Sequence, residues 1–210
     1  MINKDLKYYI EKNIFPAYEK NDKGHNIEHI KYVIDRSLMF ASKIGDINYD
    51  MVYTIASYHD IGYYIDTKNH EKISADMLLS DTNLSNYFTN DEIRIMSEAV
   101  YDHRASMDSR PRSVYGEIVS SADRETRVDV QLQRMYEYRL KHYPNKSLDW
   151  IIEDTRNYII NKFGNNGYAK EKIYFDDLDY DKFLSDLNSL VKNKNKIKEK
   201  FISVNNIKAI

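Results

Sequence analysis

The chain has 210 residues, 31 Lys and Arg against 33 Asp and Glu, six His and no Cys. This length suits one domain, and the missing Cys excludes disulfides, thiol nucleophiles, thiolate zinc sites and Cys-ligated iron–sulfur clusters, so any metal site must use His and carboxylates. A net charge of −2 gives no global reason for binding duplex nucleic acid or a membrane, and no apolar run approaches the ~18 residues that span a bilayer.

From the start, MINKDLKYYIEKNIF lacks a signal-peptide core and cleavage site, so a cytoplasmic location is expected. Apolar residues then recur at helical spacing almost everywhere, and the fold predicted is all-α. Residues 4–20 form a first helix with Leu6, Ile10, Ile14 and Phe15 on one side, broken by a turn at Asn21–Gly24. The second covers about 26–44, with Ile27, Ile30, Ile34, Leu38 and Ala41 in register and Gly45 as its C-cap. A third runs over about 49–61 and ends near Gly62; the loop YYIDTKN leads to a fourth over about 70–80. After an Asp81–Asn90 linker a fifth covers about 91–103, capped by Thr89 or Asn90. The loop Arg104–Arg112 precedes one long helix from about 113 to 142, stopped at Pro144. A helix over 147–163, a FGNNGYA turn and a helix over about 177–193 follow, and IKEKFISVNNIKAI is a short helix or an edge strand. The whole of 1–210 reads as a single domain: a core over about 22–142 and a helical extension over about 145–210 that packs on the core or forms a homodimer contact.

Polar residues interrupt the apolar stripes in an ordered way. His29 shares a side with Val33, Arg36 and Phe40, and His25 lies one turn earlier on that side. His59 continues the stripe of Val52, Ile55 and Ala56, and Asp60 follows it directly. His70 opens the fourth helix, His103 ends the stripe of Ile93, Met96 and Val100, and Asp123 follows Tyr115 and Val119 at four-residue steps. Taken singly, each has a plain reading as a core histidine bonded to backbone, a capping Asp60, or an Asp123–Arg127 ion pair. Together they place four imidazoles and two carboxylates from five helices on inward-facing positions. Such donors suit first-row transition metals, and a carboxylate beside a histidine can bridge two ions.

The strings GHNIEHIKYV, SYHDIGYY, NHEKISADML, YDHRAS and IVSSADRET, in this order, resemble the successive motifs of the HD-domain superfamily of metal-dependent phosphohydrolases. The order H…HD…H…H…D is similar to that of members with two metals, and the resemblance runs from His25 to about Val130. It is nearest to small single-domain bacterial HD hydrolases. It implies an HD-type helical bundle with extra C-terminal helices. It also implies that His29, His59, Asp60 and Asp123 are core metal ligands, with His70 and His103 as the extra ligands of dinuclear members. One or two divalent ions follow, among Fe, Mn, Ni, Co, Zn and Mg, with a transition metal favoured. Two departures stand out: Arg104 occupies a place where some dinuclear members have Asp, and the interval from Asp60 to His70 is short.

Arginine is unevenly placed. Eight of ten lie between residues 94 and 139, while no Lys occurs from 73 to 140. A guanidinium grips phosphate bidentately, which an ammonium cannot do. Arg104 and Arg124 each follow a candidate ligand, and Arg110 and Arg112 flank Pro111 in the loop between them, so these four are expected phosphate contacts, with Lys68 a further one. Arg127, Arg134 and Arg139 are expected to pair with Glu125, Asp129 and Glu137. The expected function is hydrolysis of a phosphate ester or phosphoanhydride, of a nucleotide or another small phosphorylated metabolite, by metal-bound hydroxide. Asp60 would orient the nucleophile, Arg104 and its neighbours neutralise developing charge, and His25 or Glu98 protonate the leaving group. Tyr58, Tyr63, Tyr64, Tyr101 and Tyr115 are candidates for stacking a base. The alternatives are a di-iron oxygenase of the HD type and a non-catalytic sensor of a phosphorylated ligand.

Overall fold

The computed structural model describes residues 1–164, 166–167, 169 and 174–207. Among these residues there are ten α-helices and no strand, as the periodicity requires. The chain divides into two compact units at Asp123, short of the core boundary near 142 expected from the sequence. The N-terminal unit, Met1–Asp123, holds α1 (Lys4–Asn13), α2 (Ile27–Ala41), α3 (Tyr49–Tyr58), α4 (His70–Ser80), α5 (Asn90–Asp102) and α6 (Val114–Ala122). The C-terminal unit, Arg124–Ile210, holds α7 (Val128–His142), α8 (Leu148–Phe163), α9 (Leu178–Val191) and α10 (Lys194–Val204).

Local chemistry sets the helix starts. Asn26 and Asn48 each accept two first-turn N–H groups, for α2 and α3 respectively, and Thr89 and Glu92 form a reciprocal capping box on α5. The first expected helix ends early, because Pro16 opens a 3-10 stretch over Phe15–Lys20. The expected long helix over 113–142 is two helices. Asp123 caps α6, and the buried Glu125 carboxylate accepts the N–H groups of Thr126 and Arg127 and the Arg127 guanidinium. A side chain that satisfies these amides competes with a continuing helix. The tail string forms most of α10, not a strand; its residues 208–210, and positions 165 and 168 of the FGNNGYA turn, lie outside the described residues.

In the N-terminal unit α3 is central. Every residue from Met51 to Tyr58 is buried, and α3 packs against α2, α5 and α6. That is the pattern of a helix with no solvent face. Two phenols tie its end to the unit's rim: Tyr9 and Tyr58 both donate to Asp81 Oδ2, at 2.7 and 2.5 Å. The C-terminal unit has its own core, including Leu132, Ile159, Phe183, Leu187, Ile197 and Phe201.

Candidate metal centre

Three helices of the N-terminal unit end on polar side chains. His59 is the C-cap of α3, His103 that of α5, and Asp123 that of α6. Three more residues complete the set: His29, buried in the first turns of α2, Asp60, which follows His59, and His70 at the start of α4. Helix C-termini carry partial negative charge, so three such ends favour a cation where they meet.

The side chains fall into two groups whose ligand atoms lie within 4.8 Å of one another: His29, His59, Asp60 and Asp123, and Asp60, His70 and His103. Asp60 belongs to both, and its two oxygens are divided between them. Oδ2 lies 3.6 Å from His29 Nε2 and 3.4 Å from His59 Nε2. Oδ1 lies 3.3 Å from His70 Nε2 and 3.5 Å from His103 Nε2. Asp123 Oδ1 stands on the first group, 3.0 Å from His29 Nε2 and 3.7 Å from His59 Nε2.

The rings are held from behind. Nδ1 of His59, His70 and His103 donates to the carbonyls of Ala56, Thr67 and Val100, at 2.8, 3.1 and 2.6 Å. Each bond selects, for the neutral ring, the tautomer that leaves Nε2 with its lone pair toward Asp60. The Nε2 atoms of His29 and His59 are buried and out of hydrogen-bonding alignment with any neighbour among the described residues, despite the carboxylate oxygens close by. Buried polar atoms without a hydrogen bond are rare. Imidazole and carboxylate donors convergent in this way fit a divalent cation of the first transition row. The cluster is compatible with divalent metal binding.

Charge is concentrated here. Burial disfavours the His59 imidazolium, but Asp60 and Asp123 outweigh it and lift His59 to about 9. Desolvation alone raises a carboxyl. At Asp60 it is outweighed by His59, His103 and His29, and at Asp123 by His29 and His59, so both carboxyls are held well below the usual carboxylate range. At His70 burial prevails over the Asp60 charge and lowers the ring. Asp123 is the most exposed of these side chains, at 26%, so water reaches the cluster on its side.

The remaining candidates lie as follows. His25 is half-buried, holds Asp22 Oδ1 at 2.7 Å through Nδ1, and stacks on Tyr63 with ring centroids 3.6 Å apart. Its ring is 5.9 Å from that of His29, and Tyr63 is 5.3 Å from His70, so this stack runs beside both groups. Asn21 Nδ2 donates to the carbonyls of both His25 and Asp60, which ties the segment before α2 to the His59–Asp60 turn. Three of the four arginine candidates face carboxylates. Arg104 binds Glu71 and the Lys68 carbonyl, Arg110 pairs with Glu117, and Arg112 is bidentate on Asp102. Arg124 is buried in the C-terminal unit and donates to the Ala169 carbonyl. Arg127 pairs with Glu125 as expected, whereas Arg139 is buried and reaches Asp154 instead of Glu137. Glu98 is engaged by Arg94 at 3.1 Å. Of the tyrosines, Tyr58 is buried on Asp81, Tyr64 lies under Lys20, Tyr101 lies under Arg112, and Tyr115 accepts from Asn48, while Tyr63 stands against the His70 ring of the cluster. Sequence inspection missed Asp22, Asn21 and Glu71. Their only signal is adjacency in the chain to His25 and His70.

The N-terminal unit is thus an all-α unit whose histidines and aspartates converge at helix ends in an arrangement compatible with a divalent metal. The family model for the HD domain matches residues 26–128, which takes in all six cluster residues, and this segment belongs to the HD-domain superfamily, whose members are metal-dependent hydrolases. Comparison with curated proteins and with solved structures gives no match. No helix among the described residues is long and apolar enough to cross a membrane.

Proposed function

We propose that the chain is a metal-dependent phosphohydrolase. It cleaves a phosphate ester or phosphoanhydride of a small phosphorylated metabolite, with nucleotides the first candidates. The observation that carries this reading is the division of Asp60 between two donor groups, Oδ2 toward His29 and His59 and Oδ1 toward His70 and His103. His29, His59, Asp60 and Asp123 would hold one ion, and Asp60, His70 and His103 a second. When bound, divalent ions supply Lewis-acid activation of water and neutralise charge on phosphate oxygens.

The chain's own residues do the rest. Asp60 orients the two groups with a single carboxylate and fixes their spacing. The carbonyls of Ala56, Thr67 and Val100 keep three rings from turning, so little reorganisation is needed during reaction. Asp22 holds Nδ1–H of His25, which makes Nε2 the atom that gains or gives up a proton. With the His25 ring 5.9 Å from that of His29, that atom would protonate a leaving oxygen. Tyr63, stacked on His25, supplies an aromatic face near the same place.

The test is elemental analysis of protein purified without chelator, followed by an anaerobic hydrolysis screen over nucleotides and phosphoesters with added Mn²⁺, Co²⁺, Ni²⁺ or Mg²⁺. Metal-dependent release of phosphate or a nucleotide, lost in Asp60→Ala and His59→Ala, is the expected result. Activity and bound metal that both survive those substitutions sink the reading. Bound metal and bound nucleotide with no turnover favour a sensor, and turnover only with oxygen favours an oxygenase.

A further inference from the structure

The two imidazoles that face Asp60 Oδ1 are each followed in the chain by one half of an ion pair. Glu71 follows His70 and Arg104 follows His103. Arg104 Nη1 lies 3.3 and 3.2 Å from the two Glu71 carboxylate oxygens and donates to the Lys68 carbonyl at 2.8 Å. The Glu71 side chain is only 12% exposed, so its carboxylate needs a partner within the protein, and Arg104 is on it. Glu71 Oε2 also lies 3.5 Å from His70 Nδ1.

The Lys68 carbonyl is one peptide away from the Thr67 carbonyl, which accepts from His70 Nδ1. Asp66 closes the same segment by accepting the Lys68 N–H and the Asn69 side chain, at 2.8 and 2.7 Å. Arg104 therefore pins, from the end of α5, the short turn that aims the His70 ring. The same guanidinium ties the first turn of α4 to the residue after His103. The rings of His70 and His103 are 5.3 Å apart across this junction.

We propose that Glu71 and Arg104 form a positioning pair that sets the spacing of His70 and His103 and thereby fixes the affinity of the ion those residues share with Asp60. The bonds of the pair run to the His70 side of the cluster, to the Lys68 carbonyl and to His70 itself, so the group of His29, His59 and Asp123 is left unaffected. This rests on the reading of both groups as metal sites. Hydrogen-bonding residues behind metal ligands commonly set affinity by about 10- to 100-fold.

The test is calorimetric titration of the full chain with Mn²⁺, with stoichiometry from elemental analysis. Wild type is expected to show two classes of ion. Arg104→Ala and Glu71→Gln each weaken the second class about tenfold or more and leave the first unchanged. The double variant weakens it no further than the stronger single one, because one interaction is lost in all three. Arg104→Lys recovers part of the affinity, which a merely structural role would not require. Glu71→Gln keeps the volume of the side chain and serves if Arg104→Ala fails to fold, as judged by a melt in chelator. Two unchanged classes in both single variants overturn the pair's role, as does a wild type with a single class. A change confined to KM for a phosphoester, with metal binding unchanged, also overturns it and makes Arg104 a substrate contact. A wild type that takes up no Mn²⁺, Co²⁺ or Zn²⁺ fails the metal reading itself, so the two failures are distinguishable.

Discussion

The backbone N–H of Gly62 donates to Ser74 Oγ at 2.9 Å, and no side chain fits between the two segments. A Cβ on Gly62 would lie 2.6 Å from Ile73 Cγ2 and 2.9 Å from the Ser74 backbone nitrogen. Gly62 is two residues after Asp60, and Ser74 is one turn after His70. Their close approach therefore brings α4 against the His59–Asp60 turn and delivers His70 to Asp60 Oδ1. Gly62→Ala is expected to push α4 outward, at a cost of about 1–3 kcal/mol in stability. The ion proposed for Asp60, His70 and His103 should be lost, while the one proposed for His29, His59, Asp60 and Asp123 stays. Thermal melts and metal stoichiometry check this, and two tightly held ions in a Gly62→Ala chain would contradict it.

His25→Ala should lower kcat by about 10²- to 10⁴-fold on substrates with basic leaving groups, the range of a lost general acid. The loss should be much smaller on p-nitrophenyl phosphate, whose leaving group needs no proton. Asp22→Asn, which alters the partner of His25 Nδ1, should give a milder loss of the same kind. Equal losses on both types of substrate would remove His25 from this role. Bound metal should be unchanged throughout.

The pH dependence of the metal-free protein follows from His59. Its proton affinity rises from the ordinary 6.5 to about 9. A group raised in this way contributes stability that is fully present below its unfolded value and is lost as pH climbs through its folded value. The chain in chelator should therefore lose stability between about pH 6.5 and pH 9. Asp60 and Asp123, held low, act in the opposite sense: their contribution is present above the ordinary carboxylate range and lost on acidification below it. A Tm series in chelator should fall from neutral to alkaline pH, and a steady rise would be inconsistent. Metal uptake at pH 7 should also release a proton, seen as a buffer-dependent heat.

Tyr58→Phe removes one of two phenol donors from Asp81 and should cost about 1.5–3 kcal/mol, as for other hydrogen bonds to a charged group. The depressed Asp81 carboxyl contributes stability above its ordinary range that is lost as pH falls, so the difference between variant and wild type should shrink in acid. Metal stoichiometry should not change. A variant that melts like wild type at neutral pH would show that this pair adds nothing.

The cluster of histidines and aspartates was legible because it is written along the chain. Each of the six cluster residues ends or opens a helix, or sits on an apolar stripe, and helical periodicity finds such positions without coordinates. The break between α6 and α7 was not legible. No Gly or Pro stands between Gly116 and Pro144 to announce it, and the helix stops where the Glu125 side chain folds onto the Thr126 and Arg127 amides. The arginines show the other limit. Adjacency placed Arg104 beside His103 correctly, but nothing in the spacing says that Glu71, from 33 residues away, lies across from it. The same holds for Arg112 and Asp102, whose bidentate pairing depends on how the intervening loop returns to α5.

The three helix ends that meet at the cluster have a thermodynamic consequence. Chelation would leave the last carbonyls of α3, α5 and α6 and the carboxylates of Asp60 and Asp123 without a metal charge to offset them. The final turns of those helices should then fray, because their mutual repulsion is no longer opposed. Amide hydrogens there should exchange with solvent faster than those in the middle of α3, and the gap should widen as alkaline pH removes the His59 proton. On the proposed metal-bound reading, order at these helix ends depends on the ion, and metal supply would then help to set how long the folded chain survives proteolysis.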